Sequence, residues 1–311
     1  MRRPSSVLRP GLLLLVCAAG GWSVAGCSST TASATPGVVQ VVGAENEYAN
    51  VASQIGGPYV QVHAVMSNPN TDPHTFEASP SVAQVVSTAR LVIQNGVGYD
   101  TFMNKIEAAA PDPTRKVIDV QDLLGLPDST PNPHLWYSPA TMPAVARAIA
   151  GDLSTLDPSH ASTFGANLTK FDDSLTAWLG DIEALKVAYG GAGVATTEPV
   201  ADYLLQAAGL DNRTPFVFQA DIMNGVDPSP QDVTIEKNLL VDHEVKVFVY
   251  NQQVTDSFTS SLAALARSQG IPVVGVYETM PVPGYDYQSW MVAEVEALHK
   301  ALSAGVSTTR L

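Results

Sequence analysis

Residues 158–190 read PSHASTFGANLTKFDDSLTAWLGDIEALKVAYG, and no strand-like pattern interrupts them. Within this stretch Phe164, Leu168, Phe171, Leu175, Trp178, Ile182 and Leu185 recur every three or four residues, the spacing that lines one face of an α-helix. At 1.5 Å per residue a helix of about 30 residues spans about 45 Å, enough to cross a whole domain. It reads as a strut between two bodies, so the sequence on either side decides the fold.

On the N-terminal side, the β-rich runs VVQVVGA (38–44), YVQVHAVM (59–66), RLVIQN (90–95) and KVIDV (116–120) alternate with helical patterns such as PSVAQVVSTA (80–89) and TFMNKIEAAA (101–110). The same rhythm resumes after the strut with AGVATT (192–197), PFVFQ (215–219), VKVFVYNQQ (245–253) and IPVVGVY (271–277). Helical runs separate these and close the chain at SWMVAEVEALHKAL (289–302). Strands that alternate with helices form parallel sheets with crossover connections. The expected class is therefore α/β: a βα lobe over 38–157, a linking helix over 158–190 and a second βα lobe over 191–311.

The first 26 residues stand apart. Arg2, Arg3 and Arg9 precede the apolar run GLLLLVCAAGG (11–21), which is too short to span a bilayer and reads as an export signal. It ends in Val24-Ala25-Gly26-Cys27, which resembles the bacterial lipobox. That resemblance implies cleavage before Cys27, acylation of its thiol and a Ser/Thr/Ala-rich tether over 27–37. Cys17 leaves with the signal, so no disulfide can form and the exported chain relies on burial of its core. The formal net charge of −14 repels nucleic acid and attracts cations.

Phosphate-loop, HExxH, GxSxG and cysteine-cluster motifs are absent from the sequence, which removes the commoner enzyme classes. What remains is a set of metal-capable side chains, each placed where a strand pattern gives way to a loop. His74 lies in NPNTDPHTFEASP (68–80) and His134 in NPHLWYSP (132–139), both directly after proline; Glu198 follows AGVATT and Glu278 follows VVGVY. Ligands of open α/β sheets bind outside the carboxyl ends of strands, so four such loops can meet in a cleft between the lobes. Taken singly each has a plainer reading: a solvated loop histidine, a carboxylate complementing a helix N-terminus, an ordinary surface acid.

Taken together, DPHTFE (72–77), NPHLWYSP (132–139), TEPVADYLLQAAGL (197–210) and VYNQQ (249–253) followed by IPVVGVYETMP (271–281) resemble, in order, the segments that carry the four ligands in the metal-binding subunits of bacterial ABC importers for zinc and manganese. The resemblance runs from about Val38 to Leu302. It implies two lobes bridged by a rigid helix and one divalent ion in the interlobe cleft, held by His74, His134, Glu198 and Glu278. The family commonly has aspartate at the fourth position, which leaves Asp286 as the alternative to Glu278. His63, His160, His243 and His299 are read as structural.

Two imidazoles and two carboxylates suit either ion, since zinc takes four ligands tetrahedrally and manganese accepts oxygen-rich, higher coordination. Zn2+ and Mn2+ therefore both stand as the transported ligand. Two facing carboxylates repel, so both should titrate above their usual range until a cation enters. The function implied is that of a monomeric receptor, not an enzyme, lipid-anchored through Cys27 on the outer face of the cell membrane. It captures the ion and delivers it to an ABC permease served by a separate ATPase subunit. A surface adhesin carrying structural metal and a metallohydrolase are the rival readings.

Overall fold

In the computed structural model, which describes residues 37–311 apart from Thr71 and Val282, eight strands pair into two parallel sheets of four. The export signal, Cys27 and the tether up to Pro36 lie outside the described residues. In the first sheet β1 (Val39–Glu45), β2 (Val60–Met66), β3 (Leu91–Gln94) and β4 (Lys116–Asp119) run in the order β2-β1-β3-β4. In the second, β5 (Gly193–Thr196), β6 (Asp211–Asn212), β7 (Val247–Asn251) and β8 (Val273–Val276) run β6-β5-β7-β8. The two halves thus repeat one topology that residue identity conceals. In each, the chain reverses its direction of winding beside the first strand, and that crevice is where open α/β sheets bind ligands.

β1, β3, β5, β7 and β8 are apolar and almost wholly buried, as expected of strands covered on both faces. Helix and strand approach closely at Gly43, where a Cβ would sit 2.6 Å from the backbone nitrogen of Ala49. Only glycine lets the helix Asn46–Gly56 turn straight off β1.

The connecting helix is present, with one interruption. It runs as Ala161–Ser174 and Thr176–Tyr189, and Leu175 between them keeps right-handed helical angles. The Ser174 hydroxyl donates to Phe171 O at 2.7 Å while the Leu175 N–H turns to Asp172 O. A side chain competing for a backbone carbonyl tightens the ladder locally. The apolar face lies inward: Phe164, Phe171, Leu175, Trp178, Ile182 and Leu185 are all buried. Trp178 meets Tyr287 of the C-terminal helix Tyr287–Ala304 edge to face, ring centres 5.9 Å apart.

One expected strand is a helix. PFVFQ (215–219) lies within the helix Phe216–Met223. Phe218 and Ile222, four apart, are buried, whereas Phe216 and Val217 stay exposed. That is helical spacing, and β6 is instead the two-residue Asp211–Asn212. A short aromatic run does not distinguish strand from helix by composition alone.

The main apolar cluster runs from Val41 in the first sheet through Trp136, Trp178 and Trp290 to Val274 in the second, with a smaller separate cluster in each half. Buried hydrogen bonds stitch the halves together. Asn46 and Met280 exchange a reciprocal pair at 2.9 and 3.0 Å, Tyr137 donates to Tyr277 O at 2.7 Å and Tyr287 to Trp136 O at 2.7 Å. Among the described residues no helix is long and apolar enough to cross a membrane.

Candidate metal centre

His74 follows β2 on a single 3-10 turn, Pro73–Thr75. Proline presets the first helical residue, and Asp72 accepts the His74 N–H at 2.8 Å, so the DPH sequence caps its own turn. His134, beyond β4, is held similarly by Asn132, whose Oδ1 accepts the His134 backbone N–H at 3.0 Å and lies 2.8 Å from its Nδ1. Asn132 cannot rotate, because its Nδ2 donates to Pro199 O of the second half at 2.8 Å. Its oxygen therefore takes the Nδ1 proton, which leaves the lone pair of His134 on Nε2.

Glu278 emerges directly after β8. Its backbone N–H donates to Gln253 Oε1 at 2.6 Å, and its Oε2 lies 3.1 Å from His74 Nε2 and 3.1 Å from His134 Nε2. One donor atom from each of His74, His134 and Glu278 falls within 4.8 Å of the others. Glu198, two residues beyond β5, lies outside that group of three and is tied to Glu278 through a shared neighbour. Asn251 Nδ2 donates to Glu198 Oε1 at 3.2 Å and to Glu278 Oε1 at 2.7 Å. The other Glu198 oxygen, Oε2, is buried without a hydrogen-bond partner.

The structure thus brings His74, His134 and Glu278 together and sets Glu198 alongside. Asp286 is elsewhere, capping the helix Tyr287–Ala304 through the Ser289 N–H at 2.9 Å. The remaining histidines have other surroundings: His63 lies in β2 beside Val42, and His160 stacks on Tyr59 and pairs with Asp157. His243 ends a helix at φ 54°, and His299 packs on Tyr189.

His134, Glu198 and Glu278 are at most 2% exposed, whereas the His74 side chain keeps 21%. Solvent therefore meets the site on the His74 side. There a cleft of about 770 Å³ opens between the loop 72–78, the segment from Gly98 to Ile106 and residues 222–225. Tyr99 packs edge to face on both imidazoles, at 5.3 and 5.8 Å, and Trp136 on His134 at 5.5 Å, so rigid aromatic walls fix the ring planes.

The electrostatics differ from the simple expectation of mutual repulsion. Burial drives the Glu198 carboxyl well up, and the charge of Glu278 adds to this. Burial alone would raise Glu278 as well, but the adjacent His74 and His134 outweigh it and hold Glu278 well below the usual carboxylate range. Burial pulls the imidazole of His74 down, yet Glu278 and Asp72 more than compensate and its pKa is raised. For fully buried His134 desolvation wins and its pKa is lowered. Glu278 is thus the carboxylate that its neighbours favour in the ionised form, and Glu198 the one whose ionisation burial opposes. Two neutralisable nitrogens and two carboxylates are the donor set of a divalent transition metal.

Asn132, Asn251 and Gln253 fall inside the quoted motifs NPHLWYSP and VYNQQ, but nothing in the sequence marks them, or Tyr99, as hydrogen-bond partners of the four candidate ligands. The only signal was an asparagine ending the apolar run VFVY or preceding a Pro-His pair, and either is compatible with an ordinary turn.

Two α/β lobes wound alike, with imidazole and carboxylate groups gathered where the carboxyl ends of both sheets meet, define a metal-binding protein of the two-lobed solute-receptor class. The profile of the family "ZnuA: Zinc-uptake complex component A periplasmic" matches residues 41–301, and the chain belongs to that family. It is 28% identical to the metal ABC transporter substrate-binding lipoprotein ScbA of Streptococcus cristatus, over 94% of this chain and 98% of that protein. It is 26% identical to the manganese-binding lipoprotein MntA of Bacillus subtilis, over 54% of this chain and 56% of that one. The solved structure of FpvC from Pseudomonas aeruginosa in complex with Mn2+ superimposes with a TM-score of 0.71 over 85% of this chain and 98% of that one; at 21% identity this likeness speaks to the fold alone.

Proposed function

We propose that the cleft captures one Mn2+ or Zn2+ on His74, His134, Glu198 and Glu278 and that the loaded protein hands the ion to the permease of an ABC importer. The observation that carries this reading is the meeting of His74 Nε2, His134 Nε2 and Glu278 Oε2 at the carboxyl ends of the two sheets, with the unpartnered Glu198 Oε2 buried beside them. A divalent ion facing two carboxylates is neutral overall, so its enclosure costs far less than burial of an uncompensated charge.

In this reading the ion enters past His74, the exposed member, while His134 and the two glutamates wait on rigid supports. The continuous core and the buried interlobe hydrogen bonds favour small loop rearrangements over hinge closure. Cys27 anchors the chain to the outer face of the membrane, a separate ATPase drives transport, and the receptor acts as a monomer without catalysing a reaction.

The test is metal content of the full-length protein by mass spectrometry. About one ion per chain is expected, lost in His74→Ala and His134→Ala. Asp286→Ala should keep its metal and lose only the helix cap, about 1 kcal/mol of stability. Unchanged content in both histidine variants, or metal loss in Asp286→Ala, would refute the assignment.

A further inference from the structure

Asn251 closes β7 between the loops that carry the two glutamates and is 1% exposed. Its own placement is over-determined. The backbone N–H donates to Thr197 Oγ1 at 3.1 Å, and the side-chain Oδ1 accepts the Gln253 N–H at 3.0 Å. That second bond fixes which way the amide faces, so the NH2 group points at the carboxylates. It has two hydrogens and spends one on each: Glu278 Oε1 at 2.7 Å and Glu198 Oε1 at 3.2 Å.

The consequence lies with the oxygens left over. Glu278 Oε2 faces both imidazoles and also accepts the Tyr99 hydroxyl at 2.9 Å, and Glu198 Oε2 is buried without a partner. For either carboxylate to offer both oxygens to one ion it would have to rock in its own plane, and its bond to Asn251, which occupies one of the two lone pairs on Oε1, resists that turn. In a site this buried that bond is not replaced by water.

We propose that Asn251 limits each glutamate to a single donor oxygen and thereby biases the site toward zinc over manganese. Two imidazole nitrogens and two single oxygens make four donor atoms, the number zinc accepts tetrahedrally, whereas manganese gains from the fifth and sixth oxygens that freely turning carboxylates supply. Asn251 touches no ion in this scheme; it is a positioning residue that selects by counting donors. The inference rests on the metal reading of the four residues above.

The experiment compares full-length wild type with Asn251→Leu, similar in shape and without donors, by competitive titration with Zn2+ and Mn2+ and by X-ray absorption of the zinc-loaded proteins. Wild type should show four light donors. In Asn251→Leu the ratio of zinc to manganese affinity should fall about tenfold or more, with a rise in donor number. A folded, metal-binding Asn251→Leu with an unchanged ratio overturns this inference and leaves the metal site standing. Five or more donors around zinc in wild type overturns it even where the variant fails to fold. A wild type that binds neither ion overturns both.

Discussion

The Tyr99 hydroxyl, on the first lobe, donates to Glu278 Oε2 on the second at 2.9 Å, the same oxygen that lies 3.1 Å from both imidazoles. The bond joins the two lobes beside the proposed metal ligands and holds Glu278 in place. Its phenol is held in place by ring contacts with His74, His134 and Trp136. Tyr99→Phe retains these contacts and removes only the donor. A hydrogen bond to a charged group is worth about 1.5–3 kcal/mol, so metal-free Tyr99→Phe should unfold at correspondingly lower urea concentration, with a smaller difference once metal is bound. Equal midpoints for the two metal-free proteins would show that the bond contributes nothing.

In the proposed site, metal and protons compete for the same atoms. The His74 pKa is raised in the metal-free protein, with burial opposing and Glu278 prevailing, while Glu278 is depressed because the imidazoles overcome its burial. The sign follows from each direction. The raised His74 contributes stability that is complete below the ordinary histidine pKa and fades as pH rises through its folded value. The depressed Glu278 contributes stability present above the ordinary glutamate pKa and lost as pH falls through its folded value. The ion pair thus protects the metal-free protein across the mildly acid range, where a metal must first displace the His74 proton. Binding at about pH 6 should release protons, and His74→Ala should release fewer. Calorimetry in buffers of different ionisation enthalpy counts them, and an affinity constant down to about pH 4 would rule out ligation by imidazole.

The parts of this architecture visible in the sequence were those governed by local periodicity. Phe164 to Leu185 repeat at helical spacing and form the strut, and VVQVVGA or IPVVGVY could hardly be anything but buried strands. The break at Leu175 is invisible in the sequence, because the Ser174 hydroxyl bond to Phe171 O leaves no trace in the hydrophobic pattern. PFVFQ looks like a strand and is a helix, because five residues cannot separate a period of two from one of 3.6. At the site, His74, His134, Glu198 and Glu278 could be picked out by residue type and position after strands. Asn132 and Asn251 could not, since their roles depend on Pro199 and Glu198, which are distant in the chain and adjacent only after folding.

A buried carboxyl outside the site gives the last prediction. Glu294 is wholly enclosed, with Oε1 accepting from Trp290 Nε1 at 3.0 Å and from the Tyr137 hydroxyl at 3.1 Å, and Oε2 without a partner. Burial pushes its pKa up to about 8, more than Trp290, Tyr137 and the Tyr277 backbone N–H bring it down. Between the ordinary glutamate value and about 8 the folded chain holds a proton that the unfolded chain has released, so stability falls as pH rises across that interval and levels off above it. Glu294→Gln keeps the shape and never ionises. It should match wild type at about pH 5 and exceed it at about pH 8.5 by on the order of a few kcal/mol. Glu236, buried and likewise pushed up to about 8 by desolvation, remains in the variant, so a shallower slope with pH should persist. Urea midpoints at the two pH values measure this directly. A variant that tracks wild type at both would mean that Glu294 ionises in the folded protein as readily as in the unfolded chain.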